Sequence, residues 1–425
     1  MGALIVESDA NSVTIQITIP YESTMLSTEE SIQSQLNEAG VLASGKALEQ
    51  FDTDGSPLEI EGVRWTSKGQ QPKSYQSPYG KVSIERHVYQ SAKGGATFCP
   101  LEVDSRIVLT STPRFAKQIS HKYAEMSGPR VVADLKENHG RPVTRSFVQN
   151  VAEMVGSIAL SQAESWHYQT PKPAAAITTV SIGMDGTCML MCEDHYREAM
   201  VGTISLVDAA GERHHTTYIG ASPEYGRASF LARMEHEITH IRGLFPDAHY
   251  QGLADGAAEN WDFLTPLTET QVLDFYHVSQ YLKGVAKVLY PRSPTQREDW
   301  LTKHCHDLKH EVGAARQILS EMVAMDDAKL GKTSRQTWQA TITYFRNHHH
   351  QMGYAEAIAQ NLPIGSGVTE AGCKVIVKSR LCGAGMKWKE AGAAVVLSLR
   401  SLSYTQGRWT QFWAKINQYG FSLAF

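Results

Sequence analysis

No stretch of the 425-residue chain approaches the roughly 20 consecutive apolar residues that a membrane helix needs. The opening MGALIVESDA has neither the basic start nor the apolar core of a secretory leader. Cysteine is sparse: six residues lie far apart, so a disulfide framework is not expected and a reducing cytoplasm is the simpler compartment. Low-complexity tracts and internal repeats are lacking too. With 42% hydrophobic and 20% charged residues, the chain can build a large core, which excludes a mainly disordered protein. At roughly 150 residues per domain, the length suggests about three domains.

An excess of charge of one sign is also missing, since the net charge is only −4. That average hides unlike segments. Residues 1–62 hold eleven acids and one base, Lys46; residues 63–150 hold fourteen bases and six acids; residues 370–425 hold eight bases and two acids. A basic stripe suited to nucleic acid is therefore compatible with a nearly neutral protein, as is ordinary charge scatter.

The first 22 residues alternate and are β-branched, which reads as a strand; residues 27–50 read as a helix opened by Ser27-Thr28-Glu29-Glu30. Residues 63–108 are strand-like, in the pieces VRW, KVSIERHVYQ and RIVLT. Residues 112–160 read as helices. Within them Gly140 is placed to close one helix and Thr144 to cap the next, a spacing compatible with a helix-turn-helix and equally with a structural helical hairpin. TPKPAAA at 170–176 reads as a linker.

An α/β pattern follows. ITTVSIGMDG, AMVGTISLVDAAG, ERHHTTYIGA, HYQGLADG and QVLDFYHV read as five strands, with a turn at Asp208–Gly211 and a helix over 224–243. Residues 278–360 are mostly helical, and a helix is expected from about 367 to 382. The resulting division is an acidic segment (1–62), a strand-rich DNA-binding or dimerisation region (63–128), helix-turn-helix-like helices with a linker (129–172), and an α/β domain (173–425) with a helical insertion (278–360).

Asp185 is expected at the C-terminal end of the first strand of that domain, sharing a face with Ser181 and Gly183. Asp255 ends another apolar strand. Each is followed by Gly, which taken alone is ordinary turn chemistry. Glu370 falls on the helix opened by Gly365-Ser366-Gly367. A helical wheel puts Glu370, Lys374 and Lys378 on one face and Val368, Ala371, Val375 and Cys382 on the opposite, apolar stripe. Such a face can hold a metal through the acid and track a phosphate backbone through the lysines; it can equally be a plain surface helix.

MDGT around Asp185, LADGAAENW around Asp255, DFYHVSQYL around Asp274 and PIGSGVTEAGCKVIVKSRLCGAGMKW around Glu370 resemble bacterial insertion-sequence transposases of the ISKra type, a group similar to Mutator-like DDE transposases. YGKVSIERHVYQ and FCPLEV resemble their N-terminal region. The resemblance covers about residues 75 to 400, and the Glu370 block is its most specific part. It implies an RNase H-like catalytic domain with an all-helical insertion, behind an α+β N-terminal region. It also implies Asp185, Asp255 and Glu370 as the catalytic and metal-binding triad. Asp274 and His277 would match the family's Asp/Cys-x-x-His motif in a supporting role. The paired cysteines that many relatives carry near the N-terminus are missing; only Cys99 stands there, against a four-ligand zinc site.

The implied activity is metal-dependent cleavage of DNA at element ends and strand transfer into target DNA, in a bacterial cytoplasm at the nucleoid. Two Mg²⁺ ions, replaceable by Mn²⁺, at about 3.5–4 Å clamp attacking and leaving oxygens of an in-line displacement. Asp185 is expected to bridge the pair, with Asp255 and Glu370 holding one ion each. Lys374, Lys378, Arg380 and Lys387 are candidate DNA contacts. Terminal inverted repeats, target DNA and a second or further copy of the chain are the expected partners.

Two other readings compete. One is a regulatory relative that binds DNA without cutting it. The other is a zinc protease, from His236-Glu237-Ile238-Thr239-His240 with Gly243, although the final ligand of the extended motif is replaced by Pro246. Cys188 with Cys192, the His304-Cys305-His306-His310 group and His348–His350 are weaker metal candidates, better explained as scattered side chains. Trp261, Trp388 and Trp409 read as core rather than base-stacking platforms.

Overall fold

A computed structural model describes residues 2–91, 94–327 and 330–421 and is mixed α/β. The chain divides into two compact units. One contains the residues up to Gln162 together with those from Trp409 onward; the other spans Ala163–Arg408. The boundary thus falls ahead of the TPKPAAA linker. Residues from Trp409 onward leave the α/β unit to which the sequence assigned them.

In the first unit the opening segment is not one strand but an antiparallel hairpin, β1 (Ala3–Ser8) and β2 (Val13–Ile17). The Asp9 carboxylate makes the turn, accepting from the amides of Asn11 and Ser12 at 2.7 Å each. Helix α1 (Met25–Glu49) starts ahead of Ser27, capped by the Thr24 hydroxyl, which accepts from the Ser27 amide. Strands β3 (Leu58–Ile60), β4 (Val63–Gln76), β5 (Lys81–Ser91) and β6 (Thr97–Phe98) form an antiparallel sheet in that order. The alternation of β5 buries Val82, Ile84 and Val88.

The short helix α2 (Pro100–Asp104) follows, and RIVLT is not a strand. Arg106 and Leu109 both take φ of 58°, a left-handed conformation that breaks extended pairing. Helices α3 (Pro113–Glu125), α4 (Gly128–His139) and α5 (Arg145–Ser161) pack on one another. Gly140 closes α4 at φ 60°, and the Thr144 hydroxyl caps α5 by accepting from the Phe147 amide at 3.2 Å.

The second unit opens with an antiparallel meander of β7 (Ile177–Leu190), β8 (Tyr196–Asp208) and β9 (Arg213–Ala221). Helix α6 (Ala228–Leu244) crosses to β10 (His249–Ala254), and α7 (Ala258–Leu264) leads to β11 (Thr270–Leu273). The sheet order is β11-β10-β7-β8-β9; β10 runs parallel to both β7 and β11.

Two sequence expectations are corrected here. Asp185 lies within β7 rather than at its end, because β7 and β8 continue as a two-stranded arm as far as Leu190. The fifth strand stops at Leu273, and Asp274 caps a helix instead, its carboxylate accepting from the His277 amide at 3.0 Å.

That helix, α8 (Phe275–Leu289), begins a helical stretch with α9 (Pro294–His310), α10 (Ala314–Ala324), α11 (Lys332–His348) and α12 (Tyr354–Ala359). These helices share one core with the sheet. Val180, Ile182, Met234, Ile238, Leu282, Val285, Leu308, Ile318 and Phe345 belong to the same buried cluster. The chain then forms α13 (Gly367–Gly372), a π-helical turn (Cys373–Lys378), α14 (Ser379–Leu381), α15 (Glu390–Tyr404) and α16 (Arg408–Tyr419). Among the described residues, no helix is long and apolar enough to cross a membrane.

Candidate active site

The register of β10 on β7 sets Leu253 opposite Gly183. Asp185 stands two residues further along β7, and Asp255 stands just past the end of β10. Their proximity shows electrostatically. Burial first, and then the negative charge of Asp255, push the Asp185 carboxyl above its usual range, against the Gly186 amide, the Cys373 thiol and His277, which pull it down. The Gly186 amide donates to Asp185 at 2.7 Å, and the Cys373 thiol donates at 3.6 Å. Asp255 is braced by its own turn. Its carboxylate accepts from the Ala257 amide at 3.1 Å and from Asn260 at 3.2 Å, and its carbonyl accepts from the Trp261 indole at 2.7 Å. Trp261 is thus a brace and not a base-stacking platform.

Glu370 arrives from the other side of the sequence. Helix α13 sits close on the sheet, where Thr369 and Thr203 share a hydrogen bond. The apolar stripe expected from the wheel is not the buried one. Ala371 and Cys382 are exposed, whereas Thr369, Gly372, Cys373, Ile376, Val377 and Leu381 are buried. The π-helical turn has an identifiable support. Buried Arg400 on α15, 1% exposed, donates to the carbonyls of Val375 (3.1 Å) and Ile376 (2.9 Å) and to the Ser379 hydroxyl. Such turns leave backbone carbonyls short of partners, and the guanidinium supplies them.

Asp274 and His277 join the same cluster. Asp274 is 1% exposed, and its carboxylate is well supplied: it accepts from the His277 ring at 2.7 Å, the His277 amide and the Ser366 amide at 2.7 Å. Burial pushes its pKa up, but these hydrogen bonds prevail and hold it below the usual carboxylate value. The bond that the His277 ring donates to Asp274 raises the His277 pKa; burial opposes it, and the charges of Asp274, Asp255 and Glu370 add to the rise. Glu370 accepts from the Ser366 hydroxyl at 3.3 Å. Ser366 therefore ties the Asp274 cap to the Glu370 helix, a link that the GSG spacing does not disclose.

Among the described residues, the set of three ligand groups with donor atoms within 4.8 Å of one another is Asp274, His277 and Glu370. Asp185, Asp255 and Glu370 do not meet that distance as a trio, although all five side chains interact electrostatically. The hydrogen bonds at Asp255 and Glu370 each engage one carboxylate oxygen, whereas both Asp185 oxygens accept, one from the Gly186 amide and one weakly from the Cys373 thiol; carboxylate oxygens suit magnesium or manganese. Asp274 is better described as the orienting partner of His277, because its oxygens already serve three donors.

Lys374, Lys378 and Lys387 are exposed as expected. Arg380 is not a surface contact: it is 4% exposed and lies over the Trp388 ring at 5.2 Å, while the Trp388 indole donates to the Leu381 carbonyl. The zinc-protease geometry is also lacking. The would-be base Glu237 is buried in an ion pair with Arg408. His167 lies between the rings of His236 and His240, with centroids 4.5 and 4.7 Å away and planes 8° and 21° from parallel. Stacked rings direct their nitrogens outward in parallel planes rather than at one point. Cys188 and Cys192 are exposed, and His304 stacks on Trp300; among the described residues neither forms a metal-ligand group.

Residues to which the sequence reading gave no role also lie at this site, Cys373, Asn260 and, from the helical stretch, Tyr344; His348, read as a scattered histidine, lies beside Tyr344. A Cβ on Gly256 would lie 2.8 Å from a Tyr344 ring carbon and 3.2 Å from His348 Nε2. Comparison with protein-family models gives no match, and comparison with curated proteins gives none either.

Proposed function

We propose that the second unit is an RNase H-like nuclease domain and that the protein is a DNA transposase of the DDE type. What supports this reading is the electrostatic coupling of Asp185 with Asp255 and of both Asp255 and Glu370 with His277. The three carboxylates come from the first strand, from the end of the strand parallel to it, and from a helix beyond a helical insertion. The sheet order β11-β10-β7-β8-β9, with β8 antiparallel to both neighbours, supports the same reading. So does the resemblance around Glu370 to ISKra-type transposases.

Asp185, Asp255 and Glu370 would hold the divalent ions. When bound, Mg²⁺ or Mn²⁺ neutralises phosphate charge, activates the attacking oxygen and stabilises the leaving oxygen. The chain's own groups do the rest. Asp274 fixes the His277 ring through Nδ1 and leaves Nε2 to donate to a phosphate oxygen. Asn260 and the Ala257 amide hold the Asp255 carboxylate in place. Ser366 and the Thr203–Thr369 bond set the Glu370 helix on the sheet. Lys374, Lys378 and Lys387 meet the DNA backbone, and double-stranded DNA at element ends and target is the substrate. A dimer or larger assembly joins two ends.

The test is strand cleavage of duplex DNA from the gene's own flanks, with Mg²⁺ or Mn²⁺, comparing wild type with Glu370→Gln. Metal-dependent nicking at a defined end, lost in the variant, is the expected result. Salt-dependent binding by both proteins with no nicking by either would replace this reading with that of a DNA-binding relative that does not cut.

A further inference from the structure

The helical insertion holds a buried hydroxyl that makes no hydrogen bond among the described residues. Tyr344, on α11, stacks on Tyr281 of α8 with centroids 3.9 Å apart and planes 15° from parallel. The stack joins α11 to the helix that Asp274 caps. The Tyr344 ring also covers Gly256, the residue directly after Asp255. A Cβ there would meet a ring carbon at 2.8 Å and the phenol oxygen at 3.4 Å. Any side chain after Asp255 would force the Tyr344 ring to shift.

The phenol oxygen is buried and has no hydrogen-bond partner among the described residues. Buried hydroxyls nearly always find one, so an orphan in a well-packed helix needs a reason. Ionisation of Tyr344 is disfavoured by burial first, and then by the charges of Tyr281, Asp255 and Asp274, which places the hydroxyl in the field of these carboxylates. One carboxylate oxygen of Asp255 takes both bonds from its own turn, so Asp255 has a second oxygen for further partners.

We infer that Tyr344 is a positioning residue for Asp255: its hydroxyl donates to the Asp255 carboxylate when that carboxylate takes up a divalent ion. This rests on the reading of Asp255 as a metal ligand. The insertion then serves the chemistry directly, because groups that orient a ligand carboxylate set its affinity for metal.

The experiment uses the full chain and Tyr344→Phe, which keeps the ring and the stack and removes only the hydroxyl. Mn²⁺ binding is measured by titration calorimetry, and Tm is measured in EDTA. The expected result is a loss of Mn²⁺ affinity of about tenfold, the low end for a group that orients a metal ligand. Tm in EDTA should be unchanged or higher, since the hydroxyl bonds to nothing there. Nicking should need more Mn²⁺ and recover at saturation. Mn²⁺ affinity equal to wild type would overturn the inference, and so would a lower Tm in EDTA, which marks a structural hydroxyl. Asp255→Asn separates the two levels. If it abolishes Mn²⁺ binding while Tyr344→Phe does not alter it, only the role of Tyr344 fails. If Asp255→Asn leaves Mn²⁺ binding intact, the metal-site reading fails and this inference falls with it.

Discussion

Thr369 and Thr203 lie 2.7 Å apart, side chain to side chain, and their hydrogen bond passes over Gly183. A Cβ at 183 would run into the Thr369 hydroxyl, with the Thr203 hydroxyl at 3.0 Å and the Leu253 carbonyl at 3.3 Å. Gly183→Ala must therefore lift the Glu370 helix from the sheet or disturb β10, which carries Asp255. Nicking should fall on the order of 100-fold, as a misplacement of about 1 Å costs. Tm should fall by several degrees. Unchanged cleavage kinetics in Gly183→Ala would show that the close approach is not needed.

Asp185 should trade stability for function. Its pKa is raised above the ordinary 3.8 by burial and by Asp255. A raised group contributes stability that is fully present below the unfolded value and is lost as pH rises through the folded value. At neutral pH the charged, part-buried carboxylate therefore weighs against the fold. Asp185→Asn should raise Tm at about pH 7 in EDTA and lose cleavage altogether. The gain in Tm should vanish as the pH falls below 3.8. A variant less stable than wild type at neutral pH would contradict the assignment.

Asp274 and His277 should give the metal-free protein a stability window. The raised His277 pKa contributes stability that is complete below 6.5 and is lost as pH rises through the folded value. The depressed Asp274 pKa contributes stability that is present above 3.8 and is lost as pH falls through its folded value. Urea midpoints in EDTA should decline on the alkaline side in wild type and stay flatter in His277→Gln. Parallel alkaline limbs would remove His277 from the pair.

Arg400 should resist even conservative replacement. Its guanidinium serves the Val375 and Ile376 carbonyls, the Ser379 hydroxyl and the Tyr404 hydroxyl at once, a set that an ammonium group cannot span. Arg400→Lys should destabilise the unit by about 3 kcal/mol, from the loss of several charge-assisted bonds at a buried site. Chemical denaturation reads this directly, and a change below about 1 kcal/mol would leave the π-helical turn without its support.

The strands of the α/β unit were largely legible because β-branched runs such as AMVGTISLVD are separated by turn residues, whereas the hairpin of the first 22 residues was read as one strand. Gly140 and Thr144 were legible because caps need those chemistries. The Glu370 helix was misread at its buried face. Thr369 and Gly372 carry no apolar signal, yet they pack closest to the sheet, while Ala371 and Cys382 carry one and face water. Arg380 looked like a phosphate contact because its charge says nothing about the Trp388 ring beneath it. QVLDFYHV ran on as a strand because its apolar residues continue past Leu273, and only the Asp274 side chain turns the chain into a helix. The approach of the Tyr344 ring to Gly256 depends on how α11 folds back, which local pattern does not encode.

The first unit is interrupted by the second. Trp409 packs edge-on against His121 at 5.3 Å, and Arg106 donates to the Asn417 carbonyl, so α16 completes a unit whose other parts end at Gln162. During synthesis the early helices must wait, with the surface that α16 will cover still bare, until all of residues 163–408 have been made. Any truncation meant to isolate the α/β unit should end at Arg408, where the ion pair with Glu237 is still intact.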